Sequence, residues 1–204
     1  MKFFDESGEI KKSRHKLPHW QQDGVPIFIT WRLNDSLPKE VVTRWKRDRE
    51  SWRRKQSEPW DDETKQEYQR RFVMKLEEVL DDCHGSCILE RAEVRKIVVD
   101  AIHYFDGERI DLDCYVAMPN HIHTLFSVRP GFQLEKVMKS IKGVSAREIN
   151  KVTGSRGTLW QADFWDRLVR SEKHLFWTRR YIERNPAKLS KGRYTHWDKE
   201  RGHF

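Results

Sequence analysis

The sequence predicts an α+β fold in which an antiparallel sheet carries its helices on one face. Three observations predict it. Two apolar-rich runs, 109–118 and 121–128, are separated only by Pro119 and Asn120, a turn pair, and read as a β-hairpin. A third run, VPIFITWRL at 25–33, is dense in β-branched and aromatic residues and is bounded by Gly24 and Asn34, so it reads as another strand. The segments between these runs carry apolar residues at helical spacing. The resulting order, β-α-α-α-β-β-α-β-α, is the split β-α-β pattern of a ferredoxin-like fold with extra helices after the first strand.

The elements follow in order. Residues 1–17 are polar and aperiodic, which predicts a flexible arm ending at Pro18. Residues 37–56 open with a Pro-led helix signal, and Pro59 breaks that helix. The next helix, 61–82, has acids in its first turn and places Tyr68, Phe72, Leu76 and Leu80 at helical spacing before Gly85 ends it. From Glu90 to Phe105, Val94, Ile97, Val98, Ala101 and Ile102 fall on one helical face. In the strand at 109–118, Ile110, Leu112, Cys114 and Val116 alternate. The helix at 133–150 presents Leu134, Val137, Met138, Ile141, Val144 and Ser145. Residues 153–157 are a loop, 158–170 an aromatic turn followed by a strand, and 172–185 a helix ended by Pro186. The expected division is a core domain over 18–190, a helical insertion at about 37–83, and an irregular tail at 191–204.

The chain has 204 residues, enough for one domain with additions and a substantial core. No apolar run approaches the roughly 20 residues of a membrane helix. The first residues lack the apolar centre of a signal peptide, so no export is expected. A net charge of +8 favours a polyanionic partner such as nucleic acid, against the plainer reading of a basic soluble protein. Nine tryptophans add a little to the first reading, because indoles stack on unpaired bases. Three cysteines, Cys83, Cys87 and Cys114, make no disulfide framework. CHGSC at 83–87 resembles half a zinc site, but no second Cys or His pair has the matching spacing, and a helix end with small buried thiols is the preferred reading.

The chemistry concentrates in MPNHIHTLF. In a strand, His121 and His123 point to the same side while Ile122 points into a core. Paired imidazoles on one face can hold a divalent metal. In the last helix, Tyr181 and Asn185 are four residues apart and share a face. Pro186 puts Asn185 at the helix end, where its carboxamide oxygen can turn toward a partner as a hard ligand suited to Mg2+ or Mn2+. A tyrosine beside such a metal can serve as a covalent nucleophile.

These segments, MPNHIHTLF, GTLWQADFWDRLVR and RRYIERNPAKL in this order and spacing, resemble the REP-associated tyrosine transposases, relatives of the single-tyrosine HUH insertion-sequence transposases. The resemblance spans about residues 18–190. It implies a ferredoxin-like HUH domain that cuts single-stranded DNA at hairpin-forming repeats and joins it through a 5′-phosphotyrosine. It further implies His121, His123 and Asn185 as ligands of Mg2+ or Mn2+, with Tyr181 as the nucleophile. A bacterial cytoplasmic, nucleoid-associated location and a monomer or homodimer without membrane attachment are the matching expectations. The two charged helices at about 37–83 depart from the shortest relatives.

Several basic residues are candidates for phosphate contact. Arg167, Arg170, Arg179 and Arg180 flank the proposed site. Arg44, Lys46, Arg53 and Arg54 lie in the run RWKRDRESWRRK, which reads equally as a DNA-facing helix and as a solvated helix whose Trp45 and Trp52 face the helix at 61–82. His19 and Trp20, before the first strand, are weaker candidates near DNA. Tyr104 and Tyr115 are rival tyrosines, with Tyr115 read as core. Three other functions stay open: a module that binds DNA hairpins without cutting, a metal hydrolase without a covalent intermediate, and a zinc-dependent structural protein.

Overall fold

Runs rich in apolar residues supply the central strands, and the computed structural model, which describes residues 2–12, 19–57 and 60–203, joins them into one antiparallel sheet. In chain order the elements are β1 (Lys11–Lys12), β2 (Trp20–Gln21), β3 (Pro26–Arg32), α1 (Lys39–Arg53), α2 (Asp62–Tyr68), α3 (Lys75–Asp81), α4 (Ala92–His103), β4 (Ile110–Ala117), β5 (His121–Val128), α5 (Leu134–Thr153), β6 (Trp165–Leu168), α6 (Glu172–Arg184), β7 (Thr195–Asp198) and β8 (Gly202–His203). A π-helical segment, Gln69–Met74, joins α2 to α3, where the sequence predicts one continuous helix. The chain divides into two compact units, Met1–Asn34 with Ile88–Phe204, and Asp35–Cys87.

In the larger unit the sheet order is β6-β3-β5-β4-β7-β8. Its first four strands, with α4 and α5 as crossovers, form the predicted ferredoxin-like α+β arrangement. The hairpin is central: β5 pairs with β4 on one side and with β3 on the other. Both faces of this sheet are buried. Ile27, Ile29 and Trp31 of β3 and Ile122 and Phe126 of β5 face α4 and α5, whose Val94, Val98, Met138 and Ile141 cover them. Phe28 of β3 and Leu125 of β5 face the other way, onto Ile182, Leu175 and Tyr181 of α6.

The expected placement of helices on one face is therefore corrected: α6 lies on the opposite face from α4 and α5. A strand buried on both sides reads as a near-continuous apolar run, and such a run does not say which helix covers which side.

A second correction concerns β4. The predicted single face of Ile110, Leu112, Cys114 and Val116 is broken by a β-bulge between Leu112 and Cys114. Before it, Ile110 and Leu112 face α4 and α5; after it, Tyr115 and Ala117 do, while Cys114 and Val116 turn toward α6. One extra residue reverses the parity of everything that follows.

The ends of the chain are more regular than predicted. In the expected flexible arm, Phe4 N donates to Val169 O at 2.9 Å, Phe3 packs on the α6 side of the sheet, and β1 pairs with β2. The rest of that arm, with Pro18, lies outside the described residues, as does Pro59. The tail expected to be irregular instead adds β7 and β8 to the sheet, with Trp197 stacked on Tyr115 at 5.8 Å. Buried Arg95 ties this tail down by donating to Gly192 O at 2.7 Å and Thr195 Oγ1 at 2.8 Å.

The smaller unit, Asp35–Cys87, falls where the helical insertion is expected. Its core is aromatic: buried Trp52 meets Trp60, Tyr68 and Phe72. Trp45 Nε1 donates to Phe72 O at 2.8 Å. The tryptophan pair thus faces the neighbouring helices, the plainer of its two readings. CHGSC follows α3 as a helix end, with Cys83 at φ +58° and both thiols half-buried.

Candidate active site

The parity of β5 builds this site. His121 and His123 turn to the α6 side of the sheet and are fully buried, with Ile122 in the opposite core. Their Nε2 atoms approach to 3.0 Å. Each ring is fixed through its other nitrogen. His121 Nδ1 lies 2.7 Å from Asn120 Oδ1, and His123 Nδ1 lies 2.8 Å from Thr30 Oγ1 on the adjacent strand. An amide oxygen can only accept, so His121 carries its proton on Nδ1 and keeps a bare lone pair on Nε2. A proton on His123 Nδ1, given to the Thr30 hydroxyl, leaves its Nε2 bare as well. Burial pushes the His121 pKa down to about 3 and that of His123 well below its ordinary value, the latter lowered further by His121. Both rings are neutral at pH 7, the form that binds metals.

Tyr181 and Asn185 come from α6. Ser171 caps the start of this helix by accepting from His174 N, and Pro186 stops it at the other end. The i to i+4 spacing brings Asn185 Nδ2 to 3.3 Å from the Tyr181 hydroxyl, to which it donates. That hydroxyl lies 3.4 Å from His123 Nε2. Asn185 Oδ1 is buried and has no hydrogen-bond partner. A buried, unsatisfied amide oxygen is costly and calls for a ligand.

The donor set fits a divalent ion. Two bare Nε2 lone pairs facing each other repel unless a proton or a cation lies between them. An octahedron with ligands at about 2.1 Å has an edge of about 3.0 Å, which matches the Nε2 separation. The histidines would bind through Nε2, and the Asn185 amide oxygen is the nearby hard donor. Among the described residues there is no cluster of three or more His, Cys, Asp or Glu side chains able to hold a metal. The resemblance implies an amide, that of Asn185, as the third ligand.

The rival tyrosines lie elsewhere. Tyr115 is buried toward α4, with its hydroxyl 3.2 Å from His103 Nε2 and its pKa raised by burial. Tyr104 is exposed after α4. His19 is buried against Phe164 and bonded to Asp166, so it does not present its ring to solvent.

The arginines divide. Arg179 is committed to Asp113, and Arg180 bonds Glu183 at 2.6 Å. Arg167 and Arg170 are exposed, and Arg170 lies over the Phe4 ring. Arg44, Lys46 and Arg53 are exposed on α1 of the smaller unit, as is Arg54 just after it, which is paired to Glu50. The sequence reading missed Thr30 and Asn120. Thr30 is the one hydroxyl residue in the VPIFITWRL run, and Asn120 was read only as a turn residue.

Residues 89–185 match the family model described as transposase, IS200 like. This segment is similar to the IS200-like transposases. It runs from the turn before α4 to Asn185, so the matched segment contains His121, His123, Tyr181 and Asn185 together. Two solved structures are similar to the chain. One is a REP-associated tyrosine transposase bound to a REP hairpin, at 15% identity over 85% of this chain and 73% of that one, with a TM-score of 0.46. The other is a candidate transposase from Deinococcus radiodurans R1, at 17% identity over 89% of this chain and 97% of that one, with a TM-score of 0.31. No curated protein matches the chain. No helix among the described residues is long and apolar enough to cross a membrane.

Proposed function

We propose that this protein is a transposase that cuts and rejoins single-stranded DNA beside hairpin-forming repeats, with Tyr181 as nucleophile and His121, His123 and Asn185 as ligands of Mg2+ or Mn2+. The observation that carries the reading is the position of the Tyr181 hydroxyl, between His123 Nε2 at 3.4 Å and the Asn185 amide at 3.3 Å. A tyrosine that only packed on the sheet would not need its hydroxyl at a buried imidazole pair. The hairpin substrate rests on the resemblance of the three sequence motifs to REP-associated transposases.

In the cleavage step the Tyr181 oxygen bonds to phosphorus and the bond from phosphorus to the 3′ oxygen breaks. The phenol proton leaves Tyr181 and the departing 3′ oxygen gains one, so charge balances. The product is a 5′-phosphotyrosine and a free 3′ hydroxyl, and a later attack by a 3′ hydroxyl reverses the step. Asn185 Nδ2 donates to the tyrosine oxygen and steadies the charge that grows as the phenol ionises. Asn120 and Thr30 fix the histidine rings. A bound divalent ion supplies polarisation of the scissile phosphate and charge neutralisation.

The test is a denaturing gel with labelled single-stranded hairpin DNA from repeats flanking the gene, with Mn2+ or with EDTA. The expected result is a metal-dependent covalent band in wild type that Tyr181→Phe lacks. A band that persists in Tyr181→Phe would remove Tyr181 from its role.

A further inference from the structure

We propose that Trp177 is a stacking platform for an unpaired base of single-stranded DNA running along α6 past Tyr181. This inference rests on the function proposed above and specifies how the strand is held.

Phe176 and Trp177 are each 56% exposed, and their rings touch at 5.2 Å with an interplanar angle of 77°. Among the described residues they are the only sequence neighbours that are both large, hydrophobic and exposed. Nothing in the packing of α6 requires this. Its inward face is made by Leu175, Thr178 and Ile182, and an indole left in water forgoes the burial that normally accompanies it.

The surroundings name the occupant. Lys173, Trp177, Arg180 and Arg184 recur at intervals of four, three and four and so form one stripe along the helix. Lys173 and Arg184 are exposed at its two ends. Tyr181 borders the stripe one turn after Trp177, on neighbouring helix positions. Cations flanking an exposed aromatic ring are the elements of a single-strand track: the charges follow the phosphates and the ring takes a base face. A second copy of the chain is a poorer occupant, because it would set one positive stripe against another. Trp177 and Tyr181 are i and i+4 on α6, so a strand following this stripe passes the residue that carries the proposed nucleophile.

The test uses the whole 204-residue chain with fluorescein-labelled dT16 in EDTA, so that binding is read without cleavage. Fluorescence anisotropy should show Trp177→Ala binding about 5- to 100-fold more weakly than wild type. Trp177→Phe should restore most of that loss, since any aromatic face serves. The slope of affinity against salt should be unchanged in Trp177→Ala but lower in Lys173→Gln/Arg184→Gln, which removes phosphate contacts and not stacking. Replacing thymine by 5-iodouracil should place a photocrosslink on Trp177. Equal binding of dT16 by wild type and Trp177→Ala overturns the proposal, as does a wild type that does not hold dT16. It is also overturned if Trp177→Ala halves the mass by light scattering while leaving DNA affinity intact, which would assign the ring pair to contact between copies. The two readings fail separately: loss of the covalent band with a Trp177-dependent Kd removes the nucleophile and keeps the track. A normal band with a Trp177-independent Kd does the reverse.

Discussion

Arg179 reaches from α6 to Asp113 at the bulge of β4 and donates Nε and Nη2 to its two carboxylate oxygens, at 2.8 and 2.5 Å. The bulge is what puts an acid where a regular strand would have continued its apolar alternation. Arg179 lies two residues before Tyr181 and six before Asn185, so the pair ties down the helix that carries the proposed nucleophile. The Asp113 side chain is 11% exposed and that of Arg179 is 39% exposed. Removing the arginine strands a mostly buried carboxylate. Arg179→Leu is expected to cost about 1–3 kcal/mol, less than a fully buried pair because the guanidinium is partly in water. Asp113→Asn should cost less than Arg179→Leu. Denaturant unfolding of the two single variants and the double variant gives the coupling between them. A coupling of zero would mean that the pair does not hold α6.

The ring-fixing residues predict metal affinity. Thr30→Val keeps the side-chain volume and removes the oxygen that His123 Nδ1 meets at 2.8 Å. Such supporting bonds are worth about 10- to 100-fold in metal affinity. Calorimetric titration of Mn2+ into the protein without DNA should show that weakening in Thr30→Val, and a near-complete loss in His123→Ala. Unchanged Mn2+ binding in His123→Ala would place the ion elsewhere.

Acid should destabilise the metal-free protein in a defined window. Burial holds His121 at about 3, and burial together with the charges of Arg167 and Arg170 holds His174 at about 4. His123 moves in the same direction. In the unfolded chain these groups titrate near 6.5. Below that value the unfolded chain takes up protons that the folded one refuses, so stability falls as pH falls, and above it these groups contribute no slope. In EDTA, Tm should be level from pH 8 to about 7 and should drop between about 6.5 and 5, before carboxylates titrate. His121→Gln should flatten that drop. A Tm that stays level down to pH 5 would contradict the burial of these rings.

In the smaller unit, Trp52 is 6% exposed and touches three other aromatic rings. Trp52→Ala should destabilise that unit by about 3–5 kcal/mol. Trp45, half-buried with its indole N–H on Phe72 O, should cost less on the same substitution. Hydrogen exchange resolves the effect by segment. Exchange that rises equally throughout both units would show that they unfold together.

The features legible in the sequence are those fixed by neighbours in the chain. The parity of His121-Ile122-His123, the i to i+4 relation of Tyr181 and Asn185, and the hairpin at Pro119-Asn120 need only local geometry. What stayed hidden needs partners far away. Thr30 acquires its role only once β3 pairs with β5 and brings it opposite His123. Asp113 looks like one more solvent-facing acid in RIDLDCYVAM until Arg179 meets it. The bulge has no glycine to announce it, and it sends Cys114 to the other face. β7 has four residues, two of them His and Asp, which is too short and too polar to stand out as a strand. The exposure of Trp177 depends on which face of the sheet α6 covers, and periodicity alone does not fix that.

The smaller unit begins and ends at the same place. Asp35, its first residue, accepts from Ser86 N at 2.8 Å, one residue before its last. At Gly85, with φ +86°, a β-carbon would come within 2.4 Å of the Asp35 carbonyl oxygen. A segment whose ends are clasped in this way is a cassette. It can be spliced into a strand-to-helix connection, lengthened or excised without moving the points at which the chain leaves and returns. Substitutions within this clasped stretch, the positively charged α1 included, leave the strand and helix that carry His121, His123, Tyr181 and Asn185 unaltered in sequence and register.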